Sequence, residues 1–97
     1  MYSKVYSITC AAGQEGALMS HYDDVVAPAI RESTHHVGQQ MVEVGGNQWI
    51  LVSNYTSGDA AEAASDMVRA LVGDMSARFG MDLSLIGEGP VSRQVGS

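Results

Sequence analysis

His21 is the residue of this chain best suited to move a proton. An imidazole titrates near neutral pH, so its neutral ring can take a proton from a bound molecule and return it. His21 lies beside Leu18, Tyr22, Val25 and Ala29, which share one face of a helical stretch beginning at Gln14. A pocket between that helix and a sheet would make His21 a general base. The plainer reading is a histidine at the edge of the core. Tyr6, Tyr22, Trp49 and Tyr55 are the candidates to line such a pocket and contact a planar ligand, Trp49 and Tyr55 from the same side of one strand. An aromatic stripe of this kind also serves as core or interface.

The remaining reactive groups carry less. His35 and His36 are adjacent, so in a strand they point to opposite faces and do not share one metal ion. Cys10 has no neighbouring base or cation in sequence to form a thiolate. Asp23-Asp24 reads as a solvated helix surface. Phosphate-loop, nucleophile-elbow and zinc-ligand spacings are absent. No metal and no cofactor are expected.

Composition narrows the partners. The formal charge is −6, and the five basic residues, Lys4, Arg31, Arg69, Arg78 and Arg93, are scattered. Nucleic acids and anionic membrane surfaces need clustered cations, so neither is expected as a partner. No apolar run reaches transmembrane length, the start of the chain does not resemble a signal peptide, and the single cysteine suits a reducing compartment. A cytoplasmic protein forming one domain over residues 1–97 is the expectation.

The elements that must position these residues follow from periodicity. Tyr2 to Cys10 alternates as a strand, broken by Ala11-Ala12-Gly13. The first helix runs from Gln14, with Pro28 imposing a kink or a fresh turn. His35 to Val44 and Gln48 to Thr56 read as strands of a hairpin closed at Gly45-Gly46 or Gly46-Asn47. Either closure puts His36, Gly38, Gln40, Val42 and Val44 with Trp49, Leu51, Ser53 and Tyr55, and puts Val37, Gln39 and Met41 on the reverse face; a three-residue loop would break this assignment. The second helix has Asp59 as N-cap with Glu62 completing a capping box, a stripe from Ala60 and Ala64 through Leu71 to Met75, and Gly80 at its end. A last strand is placed near Pro90 to Val95, preceded by an extended piece at Leu83 to Ile86.

Both faces of the hairpin carry large apolar residues, and two helices cover only one face of a sheet. The other face calls for a second copy of the chain, a homodimer.

The order strand, helix, hairpin, helix, strand is the ferredoxin-like βαββαβ pattern of the α+β class. The segment from Val37-Gly38 through Trp49-Ile50-Leu51-Val52-Ser53-Asn54-Tyr55-Thr56-Ser57 to Ala60-Ala61 resembles the antibiotic biosynthesis monooxygenase family. That resemblance implies a dimeric α/β barrel with a pocket in each protomer between sheet and helices. It also implies an acidic residue two before the strand-end aromatic and a His or Trp in the second helix, with a further second-helix His in haem-degrading relatives. This chain has Ser53, Ala64 and Asp74 at those places.

Three functions fit this frame. One is a cofactor-independent, monooxygenase-like enzyme acting on a small aromatic or quinone-type molecule, with His21 as base. Another is a non-catalytic small-molecule-binding or regulatory dimer. An isomerase or dehydratase is a third.

Overall fold

The computed structural model describes residues 1–96. The chain runs β1 (Tyr2–Thr9), α1 (Glu15–His21), a π-helical turn (Tyr22–Val26), α2 (Ala27–Glu32), β2 (His36–Gly45), β3 (Gln48–Tyr55), α3 (Gly58–Ala63), α4 (Ser65–Phe79) and β4 (Asp82–Pro90). The strands form one antiparallel sheet in the order β2-β3-β1-β4. This is the ferredoxin-like α+β arrangement that the element order implied. Tyr6, Ile8, Trp49 and Leu51 point from one face of the sheet into a core completed by Leu18, Val26, Ile30 and Met75 from the helices. The opposite face carries Val5, Val42, Ile50 and Val52 by strand alternation, and no helix covers it.

The first helix is kept continuous through Pro28 by widening. Ala27 N–H reaches back to the Tyr22 carbonyl, a bond one residue longer than an α-helical one. Pro28 then falls at the start of α2, where its missing N–H costs least. The wide turn inserts one residue into the helical phase. The buried face therefore passes from Leu18 to Val26 and Ile30, leaving Val25 at 45% exposure where the uninterrupted period put it inside.

The second helix starts earlier than its acidic signal suggests. Ser57 is the N-cap, its Oγ accepting from Ala60 N–H at 3.0 Å, so Asp59 sits inside the first turn. The axis breaks at Ala64 (ψ −7°), which separates α3 from α4. Gly80 closes α4 in the left-handed region (φ 60°), as glycine allows without penalty.

The C-terminal strand also moves. Asp82–Pro90 pairs along β1, and Gly87-Glu88-Gly89 continues the strand instead of ending it. A bulge leaves Ile86 unpaired between Val5↔Gly87 and Tyr6↔Leu85. Residues 91–96 form no regular element.

The hairpin corrects the face assignment. Its turn is Gly46-Asn47, with Asn47 left-handed at φ 59°. The ladder passes from Gly45↔Gln48 to Glu43↔Trp49 and so skips Val44. That one bulged residue inverts the alternation: Gln39 and Met41 pair with Ser53 and Leu51 and join the helix-covered face. A second bulge at Val37 restores the phase, returning His36 opposite Tyr55.

Candidate functional site

The helix-covered face is not filled to the last atom. Between the sheet and α1, α2 and α4 lies a cavity of ≈ 40 Å³. That is room for about three water molecules at roughly 10–15 Å³ each. Most of its wall is aliphatic or thioether. Met19, Met41, Met75 and Met81 all line it, and unbranched methionines re-pack more readily than branched residues do. The cavity as it stands is a seed, and its walls are suited to yielding.

One polar feature crosses this wall. Tyr22 O–H donates to Gln39 Oε1 at 2.7 Å, and Gln39 Nε2–H donates to Ser53 Oγ at 3.1 Å. Ser53 is 1% exposed, and its own hydroxyl proton has no acceptor among the described residues. Each member gives a proton to the next, so the chain ends in a spare donor inside an apolar cavity. Three elements hold it: the π-helical turn carries Tyr22, β2 carries Gln39 and β3 carries Ser53. Ser53 was noted in the sequence only as a departure from a family pattern, and Gln39 was assigned to the other face. The left-handed Asn47 is the residue whose conformation would have given the correct alternation.

Tyr6, Tyr22 and Tyr55 line the cavity as the sequence suggested. Burial, with smaller effects from Tyr55 and Glu88, pushes the Tyr6 phenol up to about 12. The Tyr22 phenol is raised as well, first by burial and then by Asp23, with Arg31 opposing. Both stay protonated at neutral pH and act as donors. Trp49 is buried in the core cluster and does not line the cavity.

His21 lies outside the cavity, against α4. Its Nε2 is 3.5 Å from Asp74 Oδ2, and its ring stands 5.3 Å from that of Phe79. Asp74 also accepts from Arg78 Nε at 3.0 Å.

A second histidine is better placed than the sequence indicated. His36 packs against Tyr55, the ring centroids 4.5 Å apart and the planes tilted by 41°, and its Nδ1 lies 2.8 Å from Ser33 Oγ. Its Nε2 is buried with no hydrogen-bond partner. Burial, then the charge of His35, lowers its pKa, so the ring is neutral at pH 7. His36 borders an open groove of ≈ 510 Å³ between β2 and the π-turn–α2 segment, lined also by Asp23, Arg31 and Val37. Tyr22, Ile30 and Gln39 line both groove and cavity and form the partition between them.

Burial, with a smaller effect from Glu15, raises the Cys10 thiol pKa, which keeps it a weak nucleophile. No cluster of three metal-binding side chains exists among the described residues. No helix among them is long and apolar enough to cross a membrane.

No family model matches the chain, and no curated protein matches it by sequence. Solved structures do match over its whole length. A dimeric ferredoxin-like protein from an uncultured marine organism aligns with TM-score 0.78 at 9% identity, covering 100% of both chains. The heme-degrader MhuD of Mycobacterium tuberculosis, with two hemes in its active site, aligns with TM-score 0.68 at 21% identity over 99% of this chain and 100% of its own. An MhuD variant with two manganese protoporphyrin IX groups per active site gives 0.70 at 23% identity, with both chains fully covered. At these identities the likeness establishes the fold and leaves the chemistry to the residues.

Proposed function

We propose that this protein is a homodimer in which each protomer binds a small planar molecule of aromatic or quinone type between its sheet and helices. The carrying observation is the Tyr22–Gln39–Ser53 chain, which ends in a free donor within an apolar, methionine-lined cavity. Apolar walls with a few fixed polar groups are the usual build of a small-molecule site. A carbonyl oxygen on the ligand would accept the Ser53 proton, while its rings would meet Tyr6 and Tyr55. The heme-degrader's two bound hemes support the idea that walls of this fold can part far enough for a flat ligand.

A haem does not fit the residues that line the cavity. No imidazole and no thiolate lines the cavity. Its phenols are a poor source of tyrosinate, since Tyr6 is pushed up to about 12. We therefore read the ligand as an organic molecule without iron.

The dimer rests on the uncovered sheet face, where Val42 is 52% exposed beside Val5, Ile50 and Val52. A second copy packing sheet to sheet would remove that surface from water. Size-exclusion chromatography with light scattering tests it, and a monodisperse monomer at micromolar concentration ends the reading.

Binding without turnover is the reading we favour, because His21 faces α4 and not the cavity. The test is calorimetric titration with 1-acetonaphthone, a planar ketone. Binding is expected, with about a fivefold loss in Ser53→Ala, the size of one hydrogen bond of about 1 kcal/mol. Equal binding by wild type and Ser53→Ala would remove the donor from the account.

An oxygenase reading keeps one support, the buried His21 Nε2, which has no hydrogen-bond partner but faces Asp74 Oδ2 at 3.5 Å, so the ring would have to turn to reach the cavity. It would deprotonate a phenol; dioxygen then adds to a ring carbon of the anion as a peroxide, which loses water and leaves a quinone. Oxygen uptake with a panel of such compounds tests this, and full turnover by His21→Ala would discard the role.

A further inference from the structure

We infer that the ligand is a monoanion: a planar apolar body that enters the cavity past Tyr22, with one carboxylate-like charge held in the adjoining groove by Arg31. This rests on the cavity-binding reading above and adds the ligand's charge to it.

Three observations meet at the groove. The first is continuity. Groove and cavity are separated only by a partition that includes Tyr22 and Gln39, whose 2.7 Å hydrogen bond is the polar contact across it. Parting that bond joins ≈ 510 Å³ of open groove to the apolar interior. It also frees the Tyr22 hydroxyl to donate to the incoming molecule.

The second is charge. The chain has 11 acidic and five basic residues, so a groove-lining guanidinium is a local positive charge in a negative protein. Arg69 pairs with Asp66 and Arg78 with Asp74, each at 3.0 Å. Arg31 and Arg93 have no such partner among the described residues, and of the two only Arg31 lines the groove, which it shares with Asp23. Its planar fork suits a carboxylate, which it can hold through two parallel hydrogen bonds. Asp23 limits the charge. A dianion such as a phosphate monoester would bring its second charge toward that carboxylate, and a monoanion would not.

The third is an unused polar atom at the junction. His36 lines the groove and packs against Tyr55, which lines the cavity. Its Nε2 is buried without a partner. A hydroxyl or carboxyl oxygen beside the ligand's rings would satisfy that nitrogen where groove and cavity meet.

Three naphthalene probes of matched body test the proposal by calorimetry: 1-naphthoate, neutral 1-naphthamide and 1-naphthyl phosphate. Wild type should prefer naphthoate over naphthamide by about fivefold to tenfold, the scale of a charge-assisted hydrogen bond. Arg31→Gln should abolish that preference while changing naphthamide affinity less than about twofold, and Arg31→Lys should recover part of it. The phosphate should bind more weakly than naphthoate. Because Arg31 is exposed, an unchanged melting temperature is expected and shows that each variant is folded. If naphthamide matches naphthoate on wild type, or Arg31→Gln keeps the preference, the monoanion assignment is wrong and the cavity reading stands. If the phosphate binds as well as naphthoate, the restriction to one charge is wrong. If no naphthalene probe binds wild type, the cavity reading itself fails and this inference with it.

Discussion

The two faces of the sheet are built from different side chains although they alternate along the same strands. The covered face carries tyrosines, a methionine, a tryptophan and one buried serine, with Ile8 and Leu51 among them. The uncovered face carries Val5, Val42, Ile50 and Val52, stiff residues with few rotamers. Adaptable side chains belong where a cavity has to change shape. Rigid β-branched ones belong where two flat surfaces meet. The difference agrees with the function proposed above, in which one face would receive a small molecule and the other a second sheet.

Breaking the covered face should cost most. Leu18 is 1% exposed at the centre of the core, and Leu18→Ala is expected to remove about 3 to 4 kcal/mol of stability by urea unfolding. The uncovered face should behave in the opposite way. Val42→Lys leaves the protomer folded, because the side chain is half exposed, but puts a charge into the proposed sheet-to-sheet contact. Dimer dissociation should strengthen by about a hundredfold in a light-scattering dilution series, equivalent to about 3 kcal/mol. Unchanged dissociation would mean that the two copies meet elsewhere.

Smaller effects sharpen the contrast inside the covered face. Gln39→Leu leaves Tyr22 and Ser53 without their shared partner and should destabilise by about 1 to 2 kcal/mol. A loss below the error of the unfolding measurement would show the chain to be dispensable for stability. His36 supplies a pH term. Its folded pKa lies below the ordinary 6.5, burial being the main cause, so the unfolded chain binds more protons as pH falls through that value. Stability from this group is present above 6.5 and declines toward pH 5.5. The melting temperature should drop between pH 7.5 and 5.5, and His36→Gln should make that drop smaller.

The order of elements, the antiparallel hairpin and the apolar character of both sheet faces were legible in the sequence. Regular periods with clear boundaries carry that information, as in Tyr2–Thr9 and in the glycine end of α4. Three of the errors share one cause, the single inserted residue. Val44 in the hairpin exchanged Gln39 for Gln40 on the covered face. The widened turn before Pro28 exchanged Val25 for Val26. Ile86 allowed one strand to continue through glycines that looked like its end. An insertion of this kind leaves little trace in composition and costs little energy, yet it redirects every side chain beyond it until the next one. Tyr6, Tyr22 and Tyr55 reached the cavity because no uncorrected insertion separates them from the residues that define their faces. Gln39 lies between the two bulges of β2, and His36 lies next to one.

The widened turn at Tyr22–Val26 has a consequence for inheritance. Its extra residue is the smallest change of length a gene can make, one codon gained or lost. Losing the codon for Val25, which is largely exposed, would restore a plain helix and swing α2 by about 100° around its axis, since an α-helix turns 3.6 residues per revolution. Ile30 would leave the core, and Arg31 would turn away from the groove. In related genes, the length of this segment should therefore track the presence of the groove arginine more closely than the identity of any residue within it.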